Sequence, residues 1–233
     1  MTQATPKISP LKLFGTFLYI LFFPVLLLAI GGDWLWPEGL VFSGWFLVLC
    51  YSTIMYLYRH DPALLNERYK QPGSGNQSTW DKYVVIGLAL GFTAWIIIMP
   101  LDAKRFAWTP AFPFNLKMLG AISLVFSYVF FYRAYKDNTY LSPLVRIQKD
   151  RKQKTVTTGV YALVRHPMYL AATYLFIGTP MLLGSVGGLL LGCLLVLLLM
   201  FRIIGEEKLL EHELENYRDY KLKVKYRLIP FVW

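Results

Sequence analysis

The stretch RHPMYLAATYLFIGTPMLLGSVGGLLLGCLLVLLLMFRII (165–204) carries no charged side chain between its first two residues and Arg202. It holds two apolar runs, 168–183 and 186–204, which the small residues of LLGSVGG (182–188) separate. A membrane-spanning helix needs about 20 mostly apolar residues, and a glycine-rich segment between two such runs marks a tight turn. The stretch therefore predicts a helical hairpin inside a membrane. Its first helix is short, so it either tilts or stops partway.

Four further apolar runs precede the hairpin, at 11–30, 40–58, 83–101 and 116–135. Each is long enough to cross a bilayer as a helix rising about 1.5 Å per residue. The first of them is too long for the apolar core of a cleaved signal peptide. We therefore expect an all-α integral membrane protein, a bundle of about six transmembrane segments. Five full crossings with one partial segment is the alternative.

The composition agrees with a single bundle in a membrane. Of the 233 residues, 56% are hydrophobic and only 16% are charged, whereas soluble domains carry about 25% charged residues. With six crossings, all but three of the 24 Lys and Arg residues fall on one side, which places both termini in the cytoplasm. The net charge of +10 then indicates an anionic membrane surface as the partner, and no nucleic acid.

Several classes of site are excluded by what the chain lacks. The two cysteines, Cys50 and Cys193, both lie inside apolar runs, which argues against a disulfide framework and a Cys-ligated metal. Three histidines are too few for a histidine-rich di-iron oxygenase. The chain has no dinucleotide fingerprint, no P-loop and no serine nucleophile elbow. We expect no metal site.

Two polar segments have a helical pattern of their own. The loop 59–82 begins with a short amphipathic piece and continues into a Gly/Ser/Asn turn, which predicts an interfacial helix with a flexible tip. The segment after the last span has Leu209, Leu210, Leu214 and Tyr217 at helical spacing among charges. It predicts an amphipathic cytoplasmic helix that continues the last span and ends before a proline.

Three polar segments reach the same membrane boundary in this topology. They are 138–148 after the fourth span, 155–169 before the hairpin, and 202–220 after the last span. Polar groups are costly at membrane depth and tend to mark functional sites. The three segments therefore predict a water-accessible cavity that opens toward lipid.

The motif RHPMY supplies the polar groups of the second segment. Pro167 suits the first turn of a helix, where its missing N–H leaves no partner unsatisfied. Arg165 either binds a substrate or extends to lipid phosphates. His166 either receives a ligand carboxylate beside free helix N–H groups or serves as an interfacial helix cap.

The third segment contributes a carboxylate pair and two phenols. Glu206 lies four residues after Arg202, a spacing that fits a simple helix-surface ion pair. Alternatively, Glu206 and Glu207 form a site for a ligand cation. Tyr217 and Tyr220 either wall an adenine or cover a sulfonium through cation–π contact, or they belong to an interfacial aromatic belt.

Together these residues resemble the isoprenylcysteine carboxyl methyltransferase family, in its branch of small bacterial and archaeal integral-membrane enzymes. The resemblance rests on NTYLSPLVRIQKDRKQKTVTTGVYALVRHPMYL (138–170) and EEKLLEHELENYRDYKLKVKYRLIP (206–230), with R-H-P-x-Y followed by E-E and Y-x-x-Y. It implies methyl transfer from S-adenosylmethionine to a lipophilic acceptor, an isoprenylcysteine carboxylate or another lipid or small apolar molecule. It also implies N-terminal helices over 1–137 and a catalytic region over 138–233, within one structural domain of a bacterial or archaeal cytoplasmic membrane.

The resemblance implies roles for individual residues. On the acceptor side it implies cations and a conceivable base, namely Arg133, Arg165, Arg202 and Glu206. The cofactor site that it implies comprises Gln148, Gly159, Val160, Tyr161, His166, Pro167, Tyr169, Glu206, Glu207 and Tyr217.

Two positions depart from the pattern of bacterial members. Val160 stands where many have proline, and Ala171 stands where many have glycine, so the shape of the pocket differs. Two other functions share the sequence features in part. One is a sterol-reductase-like membrane enzyme that uses NADPH, although those proteins are larger and the E-E element fits a methyltransferase better. The other is a non-enzymatic membrane protein that binds or moves a lipid, which would not need the paired Glu beside R-H-P-x-Y.

Overall fold

The computed structural model describes residues 8–233, and all regular structure in that range is helical. The long helix α4 continues into a π-helical turn over Leu101–Arg105. Short 3-10 turns lie at Lys149–Arg151 and Gly159–Ala162. The helices are α1 (Pro10–Gly31), α2 (Pro37–His60), α3 (Pro62–Arg68), α4 (Thr79–Pro100), α5 (Phe114–Asp137), α6 (Pro167–Leu183), α7 (Val186–Glu213) and α8 (Tyr217–Lys223).

All six predicted apolar segments are helices in the structure. Five of them are long and apolar enough to cross a membrane: α1, α2, α4 with its π-helical turn, α5 and α7. The sixth, α6, has 17 residues and so is about 25 Å long, shorter than a hydrocarbon core of about 30 Å. The all-α membrane bundle is therefore confirmed, with α6 as the short segment that the sequence singled out.

The predicted hairpin between α6 and α7 is also confirmed. Gly184 ends α6 with φ of 82°, a left-handed conformation that glycine adopts without strain. Ser185 caps α7, its hydroxyl accepting a 2.8 Å bond from the N–H of Gly188. Buried Asp102, after α4, accepts bonds from the Ser185 hydroxyl (2.7 Å) and from the N–H of Gly187 (2.8 Å). The turn is thus joined to the far end of α4.

Helices α5 and α6 form the most extensive helix pair, and small residues make their close approach possible. A Cβ on Gly120 would lie 2.5 Å from the backbone nitrogen of Leu182 and 2.7 Å from the carbonyl oxygen of Gly178. Along the same interface the Ser127 hydroxyl donates to the carbonyl of Ala171 (2.9 Å). Close packing of small residues with serine hydrogen bonds is the usual way in which helices associate in lipid.

The helices alternate in direction, so one end of the bundle collects the polar segments. At that end α4 begins and α7 ends, where Trp80 packs on Gly205. At the opposite end Ile98 of α4 lies against Gly187 at the start of α7. We call the first end, where α2, α5 and α7 end and α4 and α6 begin, the site end.

Beyond α7 the structure differs from the single helix that the sequence predicted. Helix α7 continues through the span to Glu213 but stops there, and Asn216 adopts a left-handed φ of 61° before α8 begins. After α8 the backbone is extended at Val224. The prediction of one continuous helix was wrong, because the chain turns at Asn216 and packs Tyr217 and Tyr220 of α8 against Leu210 and Leu214.

The predicted helix in the loop 59–82 is α3. The tip of this loop is tied to the 138–148 segment, because the side-chain amide of Asn76 donates to the carbonyl of Ile147 (2.9 Å). Both segments lie at the site end.

Candidate functional site

A cavity lies at the site end, between the connection from α5 to α6, the start of α6, the end of α7, and α8. Its empty volume is about 820 Å³, including open solvent at its mouth. The three polar segments that the sequence predicted to meet are all represented on its wall. Of the predicted site residues, seven line it: Tyr161, Arg165, His166, Pro167, Tyr169, Glu206 and Tyr217.

The start of α6 is held by a backbone pairing with the end of the chain. Helix α6 begins at Pro167, as predicted. The N–H of Arg165 donates to the carbonyl of Tyr226 and the N–H of His166 to that of Arg227, each at 2.9 Å. These bonds place the residues just before the helix next to the extended segment 224–227.

Arg165 is buried, with 3% of its side chain exposed. Its Nε donates to Glu207 (2.6 Å), and its Nη1 donates to the carbonyls of Val224 and Lys225 (2.7 Å each). The lipid-phosphate alternative for Arg165 therefore does not hold, because its guanidinium is directed inward.

Three basic side chains surround the carboxylate of Glu207. Its Oε1 accepts from Nε of Arg165 and lies 3.3 Å from Nε2 of His166, while its Oε2 accepts from Nε of Arg227 (2.9 Å). The carboxylate is 3% exposed, and a buried charge is tolerated only when it is paired in this way. Glu207 thus joins α7, the start of α6 and the extended tail behind the cavity wall.

Glu206 points to the other side, into the cavity. It is the one carboxylate that the described residues 8–233 place on the cavity wall. The hydroxyl of Tyr169 donates to its Oε2 at 2.6 Å. The helix-surface ion pair with Arg202 does not form; the carboxylate is available to a cationic group in the cavity.

Arg202 pairs across the bundle with a carboxylate that the sequence did not indicate. Its Nε donates to Oδ1 of Asp81 (2.8 Å), and its Nη2 donates to Oδ2 of Asp81 (3.3 Å) and to the carbonyl of Pro143 (2.7 Å). Its guanidinium carbon lies 5.9 Å from the ring centroid of Tyr169. Arg202 therefore stands behind the wall that Tyr169 forms.

Three buried phenols complete the wall next to α8. The hydroxyl of Tyr220 donates to the carbonyl of Tyr161 (2.7 Å), and the rings of Tyr217 and Tyr220 meet edge to face at 5.7 Å. The buried hydroxyl of Tyr217 has no hydrogen-bond partner within residues 8–233. Burial raises the pKa of all three phenols, so they remain protonated. Tyr217 and Tyr220 are 4% and 3% exposed, which excludes a lipid-facing aromatic belt.

The remaining predicted residues lie away from the cavity. Gly159 has a φ of 62°, and a Cβ there would clash with the carboxylate of Asp137, which accepts a 2.9 Å bond from the N–H of Val160. Gln148 is buried and bonded to the Tyr140 carbonyl and to Arg151. Arg133 is 45% exposed and lies 3.3 Å from Asp137.

Sequence reasoning missed three charged residues that support the site: Asp81, Glu67 and Arg227. The first two come from α4 and α3, far from the matched motifs, and no spacing in the sequence links them to their partners. Arg227 has a weak signal, since it follows the E-E and Y-x-x-Y elements in the basic tail. Within the described residues, no group of three or more His, Cys, Asp or Glu could hold a metal ion.

Comparisons with known proteins found a matching family and a similar solved structure. Residues 116–217, from α5 to the first residue of α8, match the phospholipid methyltransferase family. A solved structure of the eukaryotic intramembrane Ras methyltransferase ICMT (isoprenylcysteine carboxyl methyltransferase) superposes with a TM-score of 0.52, covering 91% of this chain and 73% of that chain. The chain has an ICMT-like fold. The sequence identity to ICMT is 24%, so that likeness concerns the fold.

The resemblance predicted from the motifs is confirmed by these two findings. No curated protein matches. The family match contains RHPMY, Glu206 and Glu207, but it leaves out Asp81 and Arg227. The family match supports methyl transfer, which requires a methyl donor, and the ICMT-like fold with its five spanning-length helices shows a multi-pass membrane architecture.

Proposed function

We propose that this chain is an S-adenosylmethionine-dependent methyltransferase that acts on a lipophilic acceptor at the membrane interface. The observation that carries the proposal is the cavity at the site end, where the carboxylate of Glu206, a histidine and buried phenols meet beside lipid-facing helices. The family match supports methyl transfer, and the ICMT-like fold supports an acceptor reached from the membrane.

The side chains present fit the proposed cofactor. S-adenosylmethionine carries a cationic amino group, a sulfonium, a carboxylate and an adenine. Glu206 offers a carboxylate to a cation, and the unpartnered hydroxyl of Tyr217 offers a donor and an acceptor beside an aromatic face. His166 and Tyr169 stack at 5.5 Å on the same wall. The cofactor supplies a methyl group that is bonded to positively charged sulfur. When the methyl group is transferred, the sulfur leaves as a neutral thioether, which is an excellent leaving group.

The chain's own contribution is binding, orientation and water exclusion. We propose that Tyr161, His166, Tyr169, Glu206 and Tyr217 line the cofactor site, and Pro167 sets the direction of α6. A carboxylate acceptor needs no base, whereas a thiol, an amine or a phenol must first lose a proton, for which Glu206 is the candidate.

The other residues that the resemblance implied have supporting roles in this proposal. Gln148, Gly159 and Val160 shape the connection from α5 to α6, and Glu207 holds the wall in place. Three arginines are assigned to the acceptor side. Arg165 and Arg202 balance charge next to it, since their guanidinium groups are bonded to carboxylates. Arg133 lies outside the cavity, is 45% exposed and pairs with Asp137, so in this proposal it would meet only an acceptor group that extends beyond the cavity.

The proposal extends to the arrangement in the membrane. The helices over 1–137 support a catalytic region over 138–233 in one structural domain. The site end carries most of the Lys and Arg residues, so it faces the cytoplasm by the positive-inside rule.

Two experiments test the function. The first is calorimetric titration of the detergent-purified chain with S-adenosylmethionine and S-adenosylhomocysteine, for which we expect saturable binding. The second is transfer of a labelled methyl group into a lipid extract, followed by identification of the labelled product. Folded protein that binds neither compound contradicts the proposal, and binding of NADPH in their place indicates a membrane reductase.

A further inference from the structure

One wall of the cavity has no regular secondary structure. Ser142, Leu144, Val145 and Arg146 all line the cavity, and the backbone over 141–148 forms no helical turn. Such a segment keeps one shape only if groups from elsewhere bind its backbone and side chains. Two buried carboxylates from the N-terminal half of the chain do this.

Asp81, at the start of α4, holds the middle of this wall. Its Oδ2 accepts from the N–H of Val145 (2.8 Å) and from the amide of Gln77 (2.7 Å). Both of its oxygens also accept from Arg202, whose Nη2 donates to the carbonyl of Pro143. The pair formed by Asp81 and Arg202 therefore binds the backbone of the wall at two positions that are two residues apart.

Glu67, in α3, holds the adjoining part. It receives both Nε and Nη2 of Arg146, each at 2.9 Å, in the two-bond geometry that best fixes a guanidinium. Its Oε1 also accepts from the hydroxyl of Ser142 (2.8 Å). Glu67 is 3% exposed and Asp81 is not exposed at all.

Neither carboxylate touches the cavity, and neither lies in the segment that matches the methyltransferase family, which begins at residue 116. Both are bound to the wall through several short bonds, so a loss of charge at either position leaves a buried arginine without its main partner. The contacts thus run from α3 and α4, through the two arginines, to the residues that face the cavity.

We propose that Glu67 and Asp81 are positioning residues for the methyl-transfer site, which set the shape of the wall 142–146 against the donor. This inference rests on the proposed function for the identity of the donor. The two residues act through Arg146, Arg202 and the backbone of the wall, and they make no contact with the reacting groups.

The test compares three variants that each remove one buried negative charge. Asp81→Asn and Glu67→Gln remove the positioning carboxylates. Asp102→Asn is the matched control, because Asp102 is 2% exposed and accepts bonds from Ser185, Thr109 and Gly187 at the opposite end of the bundle. Glu67 lies outside the spanning helices, so Glu67→Gln still tests the inference if Asp81→Asn does not fold.

Two measurements are made on each purified full chain in detergent. One is the dissociation constant of S-adenosylhomocysteine by calorimetry, at a temperature where melting curves show folded protein. The other is the rate of tryptic cleavage after Arg146, which needs no ligand and reports whether the wall is held. Arg146 is 8% exposed, so cleavage there is slow in the intact protein.

We expect Asp81→Asn and Glu67→Gln to weaken S-adenosylhomocysteine binding about tenfold and to speed cleavage after Arg146 by a similar factor, since the loss of charge-assisted bonds to a buried arginine favours opening of the wall by about this factor. Asp102→Asn lowers the melting temperature without either change. Unchanged affinity and cleavage in folded Glu67→Gln overturn the inference, as do equal effects in Asp102→Asn. A wild-type chain that binds no donor contradicts the proposed function, and with it the role of Glu67 and Asp81 in positioning the donor. The cleavage rates then still decide whether the two carboxylates hold the wall.

Discussion

The hydroxyl of Tyr169 donates a 2.6 Å hydrogen bond to Oε2 of Glu206, so the start of α6 and the end of α7 meet at a carboxylate on the cavity wall. The neighbouring carboxylate, Glu207, faces away and is enclosed by Arg165, His166 and Arg227. Two adjacent residues of one helix therefore have separate tasks. One faces the cavity, and the other stabilises the structure around it.

Glu206→Gln should weaken S-adenosylmethionine binding about tenfold or more, because a charge-assisted bond to a cation contributes about 1.5–3 kcal/mol. Calorimetry measures this directly. Glu211→Gln is the control, since Glu211 pairs with Lys221 on α8 and does not line the cavity. Equal affinities for the two variants would contradict the role of Glu206.

Glu207→Gln should destabilise the fold, because Glu207 lies behind the cavity wall and not on its surface. The substitution leaves two buried or half-buried arginines without a counter-charge, and breaking a buried pair costs about 3 kcal/mol or more. Thermal unfolding in detergent should show a clear drop in Tm. Glu213→Gln, at a 41% exposed side chain paired with Lys149, should change stability by less than about 1 kcal/mol.

Gly159→Ala should disturb the connection from α5 to α6. The left-handed φ of 62° and the clash of a Cβ with Asp137 both oppose a side chain at this position. Strain of this kind costs about 1–3 kcal/mol, so we expect a lower Tm and weaker donor binding. Gly44→Ala is the comparison, because no atom lies within 4 Å of its Cβ position and alanine favours the helix. A neutral Gly159→Ala would show that the connection can change shape freely.

Gly120→Ala should separate α5 from α6. A Cβ there meets the backbone of Leu182 at 2.5 Å and of Gly178 at 2.7 Å, and backbone cannot move aside as a side chain can. The expected result is a loss of about 1–3 kcal/mol by overpacking, seen as a lower Tm. Gly87→Ala in α4, where the space is open, should leave Tm nearly unchanged.

Acidification should remove the contribution of Glu67 to stability. Burial raises the pKa of this carboxyl, but the bonds from Arg146, Lys70 and Ser142 outweigh it and lower the pKa from 4.5 to about 2. A lowered folded-state pKa stabilises the fold above pH 4.5, and this contribution, about 3 kcal/mol, is lost as the pH falls toward 2. The Tm difference between wild type and Glu67→Gln should therefore shrink over this range. A difference that does not change with pH would contradict the assignment.

The spans and the hairpin could be predicted because each depends on local composition. Apolar runs of sufficient length fix a helix in lipid, and LLGSVGG supplies the residues that a turn requires. The start of α6 at Pro167 follows from the same local logic. These features need no knowledge of the rest of the chain.

The partners of the charged residues could not be predicted in this way. Arg202 has Glu206 four residues away, and the sequence offered that local pair, yet its partner is Asp81, 121 positions distant. The distance between Glu67 and Arg146 in the sequence is 79 positions. Likewise, the left-handed Asn216 divides a helical pattern that looked continuous, because packing of α8 over the cavity outweighs local propensity.

The pairing of Arg165 and His166 with the carbonyls of Tyr226 and Arg227 has a consequence for biogenesis. A ribosome makes residues 224–227 after all six apolar helices, so the membrane bundle can be inserted while the site still lacks one of its supports. We expect nascent chains stopped before residue 224 to insert normally but to bind no donor. Crosslinking of a photoreactive S-adenosylmethionine analogue to chains of increasing length would show whether binding begins only when this segment has been synthesised.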